Sequence, residues 1–320
     1  MKAFIIRLGK FCFPFVIILT AILVLFELLL VNKQSSFQLK SSSYLKYANK
    51  TELVVFGSSH NQSAVNPYFI DSYKSVNLAF GGQDPSIDSA LLDKCIRELP
   101  KLKIAVFDLY YHSLDHRNGS NYFRNTLYLK FFDINLFKRE TSITDHSIFL
   151  SNPRFYLELL NPLKDESLLN EYGFVISAAK DDANTYKFWH MKFNELNILK
   201  DSSNYHVNRH RNESINNYYK NCSTYRNILK RCRENNIIPI FISTPVYKTY
   251  LSSFLQAKNN RRLSFIDELK NEYPELVFLN YESFEGFFVT DFKDDDHLNP
   301  NGSKKLTNLL NSNLKEIIKK

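Results

Sequence analysis

Residues 52–67 read ELVVFGSSHNQSAVNP. The run Leu53-Val54-Val55-Phe56 is apolar without alternation, the pattern of a strand buried on both faces, and it stops at Gly57. Ser58, Ser59 and His60 follow at once. Such a turn has two readings. Either a serine simply caps the next helix, or the turn presents a serine as a nucleophile.

Outward from this stretch, short apolar runs alternate with helical patterns. SVNLAF (75–80), KIAVFDLYY (103–111), NIIPIFISTP (236–245) and ELVFLNY (275–281) read as strands. PSIDSALLDKCIREL (85–99) opens on Pro and has helical periodicity. Ile215, Tyr218, Cys222, Tyr225, Leu229 and Cys232 form one helical stripe, and Leu306, Leu309, Leu310, Leu314 and Ile317 another. The alternation predicts an α/β fold, a mainly parallel sheet with helices on both faces. Functional residues in such sheets gather at the carboxyl edge of the strands. Residues 113–214 break the pattern and predict an inserted, mainly helical cap, with Trp189 and His190 filling its interior.

The N-terminus carries FCFPFVIILTAILVLFELLLV (11–31), apolar apart from Thr20 and Glu27. About 20 such residues span a bilayer core, which predicts a transmembrane anchor over 11–32. Lys2, Arg7 and Lys10 precede it and place the tail, 1–10, in the cytoplasm and everything from about Lys33 outside. The run is long for a cleaved signal peptide, and no small-x-small cleavage site follows. Glu27 is expected near the far interface, and the Ser- and Lys-rich residues 33–50 as a stalk.

Composition narrows the function. With 320 residues, 44% hydrophobic, the chain can bury a sizeable core. Its net charge of +8 is spread out, without the dense basic block that tracks a phosphate backbone, so no nucleic-acid partner is expected. Cys222 and Cys232 stand ten residues apart on one helix, about 15 Å, whereas a disulfide needs Cα atoms within about 7 Å. They read as core thiols. No Cys/His spacing reads as a metal site, and no cofactor is expected. Asp295 and Asp296 read as a solvated acidic turn, and His60 as a solvent-facing residue of a first helical turn.

Three segments fall at strand ends: Gly57-Ser58-Ser59-His60, the turn after NLAF with Gly81-Gly82, and DFKDDDHLNPNG (291–302) before the last helix. A serine hydroxyl needs a base, the base needs a carboxylate to fix its tautomer, and the oxyanion needs N–H donors. Ser59, His297, Asp294 and the Gly82 turn would supply these parts. Tyr110, Tyr111 and Tyr247 leave strands at the same edge, as packing or as substrate contacts.

The three segments resemble blocks of the SGNH/GDSL hydrolase superfamily. VVFGSSH is similar to its Gly-Asp-Ser block, with Ser58 in place of the Asp; NLAFGGQ resembles its Asn-x-Gly-x-x-Gly block; DDDHLNPNG resembles its Asp-x-x-His-Leu-Asn block. The resemblance implies a three-layer, flavodoxin-like domain over 51–320 with the 113–214 insertion. It also implies a Ser59–His297–Asp294 triad and oxyanion donors at Gly82 and the Ser59 backbone. The family's Gly-x-Asn-Asp block is missing, and His112 of FDLYYHSLD stands roughly at its Asn. Membrane-anchored proteins of this type resemble those of cell-surface polysaccharide O-acetylation and teichoic-acid D-alanylation. That implies acyl-ester chemistry on an envelope glycan, O-acyltransferase or esterase, beside a membrane-bound O-acyltransferase. The alternative is a catalytically silent scaffold or glycan-binding component.

Overall fold

Leu53, Val54, Val55 and Phe56 are all completely buried. Their strand, β1 (Leu53–Val55), is flanked on both sides by parallel neighbours, β2 (Ser75–Asn77) and β3 (Ile104–Asp108). An unbroken apolar run suits a strand with no solvent face. A computed structural model describes residues 1–33, 35–159, 167–178, 208 and 210–317. Trp189 and His190, expected inside a cap, lie outside the described residues. The chain divides into two compact units: Met1–Gln38 with Ser120–Lys164, and Leu39–Gly119 with Asp165–Lys320.

The second unit holds the sheet. β6 (Ile238–Ser243) and β7 (Val277–Asn280) complete a five-stranded, all-parallel sheet in the order β2-β1-β3-β6-β7. The order reverses between β1 and β3, the place where open α/β sheets bind ligands at their carboxyl edge. Pro239 sits in β6 one residue before pairing with β7 begins at Ile240, so its missing N–H removes no bond on that side. Helices flank the sheet. α3 (Ser59–Ala64) packs with α11 (Pro300–Ile317), and α4 (Pro85–Glu98) with α8 (Ile215–Glu234). The predicted stripe on α8 holds from Cys222 through Tyr225 and Leu229 to Cys232, all buried, whereas Ile215 is exposed at the helix start. Cys95, Cys222 and Cys232 are buried free thiols. A two-stranded antiparallel hairpin, β4 (Ser167–Leu169) and β5 (Val175–Ala178), stands within the stretch expected to be helical.

Residues 33–50 do not form the expected stalk. They carry helix α2 (Ser36–Tyr47), in which Lys40 and Tyr44 are buried. Lys40 Nζ donates to Asn77 Oδ1 at 3.1 Å and to the Ala79 carbonyl at 2.5 Å, and lies over the Phe80 ring. Burial pulls its pKa from 10.5 down to about 7. Between those values the unfolded chain binds a proton that the folded one does not, so stability should rise with pH across that window, by up to about 1.4 kcal/mol per unit. Lys40→Met should flatten that slope, as read from urea midpoints at pH 7, 8 and 9.

In the first unit, α1 (Lys2–Asn32) is long and apolar enough to cross a membrane. Glu27 on it accepts from Lys130 Nζ at 2.5 Å, from Ser147 Oγ at 3.0 Å and from the Phe149 N–H at 3.2 Å. These partners come from α5 (Asn125–Phe132) and from the start of α6 (Ile148–Ser151). Phe26 stacks on Phe149 with ring centroids 4.9 Å apart. A carboxylate at the end of an apolar run is thus matched by a cation and two further donors.

Candidate active site

β1 ends in a turn that only glycine fits. Gly57 has φ +122°, and a Cβ there would lie 2.6 Å from the Asp108 carboxyl carbon. That close approach lets two carboxyl groups hold the turn from beneath. Asp88 Oδ1 accepts from the Gly57 N–H at 3.0 Å, and Asp108 Oδ2 accepts from both the N–H and the hydroxyl of Ser58 at 2.6 Å. Burial, opposed by the Ser58 bonds, pushes Asp108 up to about 6. Burial and then the Asp108 charge push Asp88 well above the carboxylate range. Ser58 is therefore tied to β3; its side chain makes no helix-cap bond.

The turn sets Ser59 as the first residue of α3, with its Oγ 2.8 Å from His297 Nε2. The other nitrogen of His297, Nδ1, lies 2.8 Å from Asp294 Oδ1. Asp294 Oδ1 also accepts the His297 backbone N–H at 2.8 Å, so the carboxylate and the ring form one local turn. Asn299 secures the segment. Its Nδ2 donates to the Thr290 and Phe292 carbonyls, and its Oδ1 accepts from the N–H groups of Asn301 and Gly302 at the start of α11. With Pro300 next, this is a side-chain cap followed by proline in the first turn.

Ser59 and the Asp294–His297 turn, more than two hundred residues apart in the chain, thus meet at the carboxyl edge of the sheet. Gly82 sits in the third position of a turn closed by the Gln83 N–H to the Phe80 carbonyl at 2.9 Å, with φ +73° as a type II turn requires.

Other residues stand differently from their expectation. Asp296 is completely buried, not in a solvated turn; Asp295 is half-buried. Asp296 Oδ1 lies 2.8 Å from His297 Nδ1, so the ring faces two carboxylates. Burial opposes a charge on His297, but Asp294 and Asp296 outweigh it and push its pKa up to about 10. Burial likewise opposes the charge on Asp294, yet His297 and then Lys293 hold it well below the carboxylate range. The pair stabilises the imidazolium that forms when His297 takes a proton, and favours that proton at rest as well.

His60 is also buried, not solvent-facing. It lies under the Tyr110 ring at 4.0 Å and beside His297 at 4.8 Å. His112 is buried and stacks on His210 at 3.9 Å. Tyr110, Tyr111 and Tyr247 are buried. The Tyr110 hydroxyl donates to Thr244 Oγ1 and accepts from the Thr244 N–H; that of Tyr111 accepts from the Leu255 N–H, with its ring stacked on Phe254. Tyr247 meets Phe292 edge to face. His210, Asp88 and Asp108 were not anticipated. Asp108 ends an apolar strand in KIAVFD, where a carboxylate at the carboxyl edge was the available signal; His210 lies in no recognisable pattern.

No family model matches the chain, and no curated protein matches it. Several solved structures show a distant likeness. A GDSL-like lipase from Bacteroides thetaiotaomicron is 9% identical, with 86% of this chain and 98% of that one covered and a TM-score of 0.39. An active site mutant of a family two carbohydrate esterase from Clostridium thermocellum is 9% identical, with 85% and 65% covered and a TM-score of 0.35. The roles of residues rest on the contacts above, and the likeness extends only to distant esterase- and lipase-type folds.

Proposed function

We propose that this chain carries out acyl-ester chemistry through a Ser59–His297–Asp294 triad. The observation that carries the reading is the unbroken relay from Ser59 Oγ to His297 Nε2 and from Nδ1 to Asp294, both links 2.8 Å. In this reading Ser59 attacks the acyl carbonyl while His297 takes its proton. The N–H groups of Ser59 and Gly82 receive the oxyanion. His297 returns the proton to the leaving alcohol, and a second hydroxyl then releases the acyl group. With water as that hydroxyl the protein is an esterase; with a sugar it is an O-acyltransferase.

We assign the substrate to O-acyl groups, O-acetyl above all, of a cell-envelope polysaccharide. The anchor-like α1 with Lys2, Arg7 and Lys10 ahead of it supports a single-pass protein whose sheet domain is extracytoplasmic. A membrane-bound O-acyltransferase would be the fitting partner. A second reading, a silent scaffold or glycan-binding component, is favoured by the second carboxylate beside His297, since two acidic neighbours hold its proton more tightly and oppose its work as a base.

The test is labelling of the full-length protein in detergent with a serine-directed fluorophosphonate. Wild type should be labelled on Ser59 and Ser59→Ala should not. A folded wild type that stays unlabelled would give the scaffold reading the advantage.

A further inference from the structure

Beside the triad, in the second unit, three histidines from distant parts of the sequence converge. His60 comes from α3, His112 from the turn after β3, and His210 from just before α8; all three are buried. One nitrogen of each ring lies within 4.8 Å of one from each of the others. Asp296, completely buried, adds a carboxylate: its Oδ2 is 3.6 Å from His60 Nε2 and 3.6 Å from His210 Nδ1. His112 Nδ1 is buried and has no hydrogen-bond partner among the described residues.

We propose that His60, His112, His210 and Asp296 form a binding site for a divalent transition-metal ion, zinc foremost. Three imidazoles and a carboxylate are the ligand types such ions take, and the absence of thiolates disfavours copper(I) and iron–sulfur clusters. In a tetrahedral site with metal–ligand bonds of about 2.0–2.2 Å, neighbouring ligand atoms stand about 3.4 Å apart. The two 3.6 Å separations at Asp296 already match that spacing. The ring nitrogens must close further. His112 and His210, stacked 11° from parallel, must tilt, because an imidazole lone pair lies in the plane of its ring. The Tyr250 hydroxyl, 2.6 Å from His210 Nδ1, would have to yield that nitrogen to the ion.

The site would adjoin the triad through one residue. Asp296 turns Oδ2 to the rings and Oδ1 to His297 Nδ1. A bound ion would fix that carboxylate and hence the seat of His297. The proposal does not depend on the acyl chemistry, since its test reads metal binding alone.

The test uses the full-length protein in detergent, purified without a histidine tag, and titrated with Zn2+ and with Co2+. We expect one equivalent of either ion per chain by mass spectrometric metal analysis. The Co2+ form should show visible d–d bands of four-coordinate intensity. His112→Ala and His210→Ala should each weaken binding by at least about 100-fold, with helical circular dichroism retained, while Ser59→Ala binds as wild type. Asp296→Asn should weaken binding by about 10- to 100-fold. Failure of folded wild type to bind either ion at micromolar concentration would overturn the proposal without recourse to any variant. So would one equivalent that survives the His112→Ala/His210→Ala double substitution.

Discussion

Replacing His297 by alanine should reduce ester turnover by about 10⁴-fold, with the fold retained, because the nucleophile then has no acceptor for its proton. Ser59→Ala should cost about as much, and the double variant no more than either alone, since the two act as one unit. Asp294→Asn is the informative companion. In a site with one orienting carboxylate, its loss leaves the imidazole unsupported. Here Asp296 stands at the same 2.8 Å from Nδ1, so the single substitution should cost only about 10- to 100-fold, and Asp294→Asn/Asp296→Asn far more. Single-turnover kinetics with a chromogenic acetyl ester measures all five. A full loss in Asp294→Asn alone would show that Asp296 does not share the work.

The largest stability effect is expected at Glu282. Arg262 on α10 (Gln256–Glu272) is almost completely buried, and its guanidinium meets the buried Glu282 carboxylate through both Nη1 and Nη2. Truncating one member of such a pair strands the other charge in a low-dielectric interior, at about 3–5 kcal/mol. That is a large part of the 5–15 kcal/mol that separates a typical domain from its unfolded chain. Glu282→Ala should therefore shift the urea midpoint steeply, or prevent accumulation of folded protein. Arg262→Met/Glu282→Leu should recover most of the loss, because an apolar pair of similar size leaves no charge behind. A double variant no better than Glu282→Ala would mean that shape, not charge, is what the pair provides.

These sites differ in how visibly they are written in the chain. LVVF declares a strand buried on both faces, and that one pattern, repeated at 104–108 and 238–243, gives the parallel sheet. The catalytic candidates were legible because each lies within a few residues of a strand or helix end whose position periodicity reveals. Burial of charge was not legible. Asp296 and Asp294 belong to the same acidic triplet, yet only Asp296 is completely enclosed, which is decided by what packs on it from His60 and His210. Lys40 looked like part of a solvated stalk because lysine and serine usually are. Its amine is buried because Asn77 and the Ala79 carbonyl supply acceptors from far along the chain. Local composition reports average solvation, whereas these residues depend on partners that composition does not name.

Glu27 has a consequence for immersion. In a bilayer, an apolar helix of 31 residues is free to slide along its axis until something polar resists. In such a setting the Glu27 carboxylate would be that stop, and its bonds from Lys130 and Ser147 would moor it. Were α1 to cross a bilayer, Lys130 would have to stay within reach of water, which would hold the 125–149 segment at the level of the headgroups. A thicker or thinner membrane would then change the tilt of the helix and leave the height of that segment unaltered.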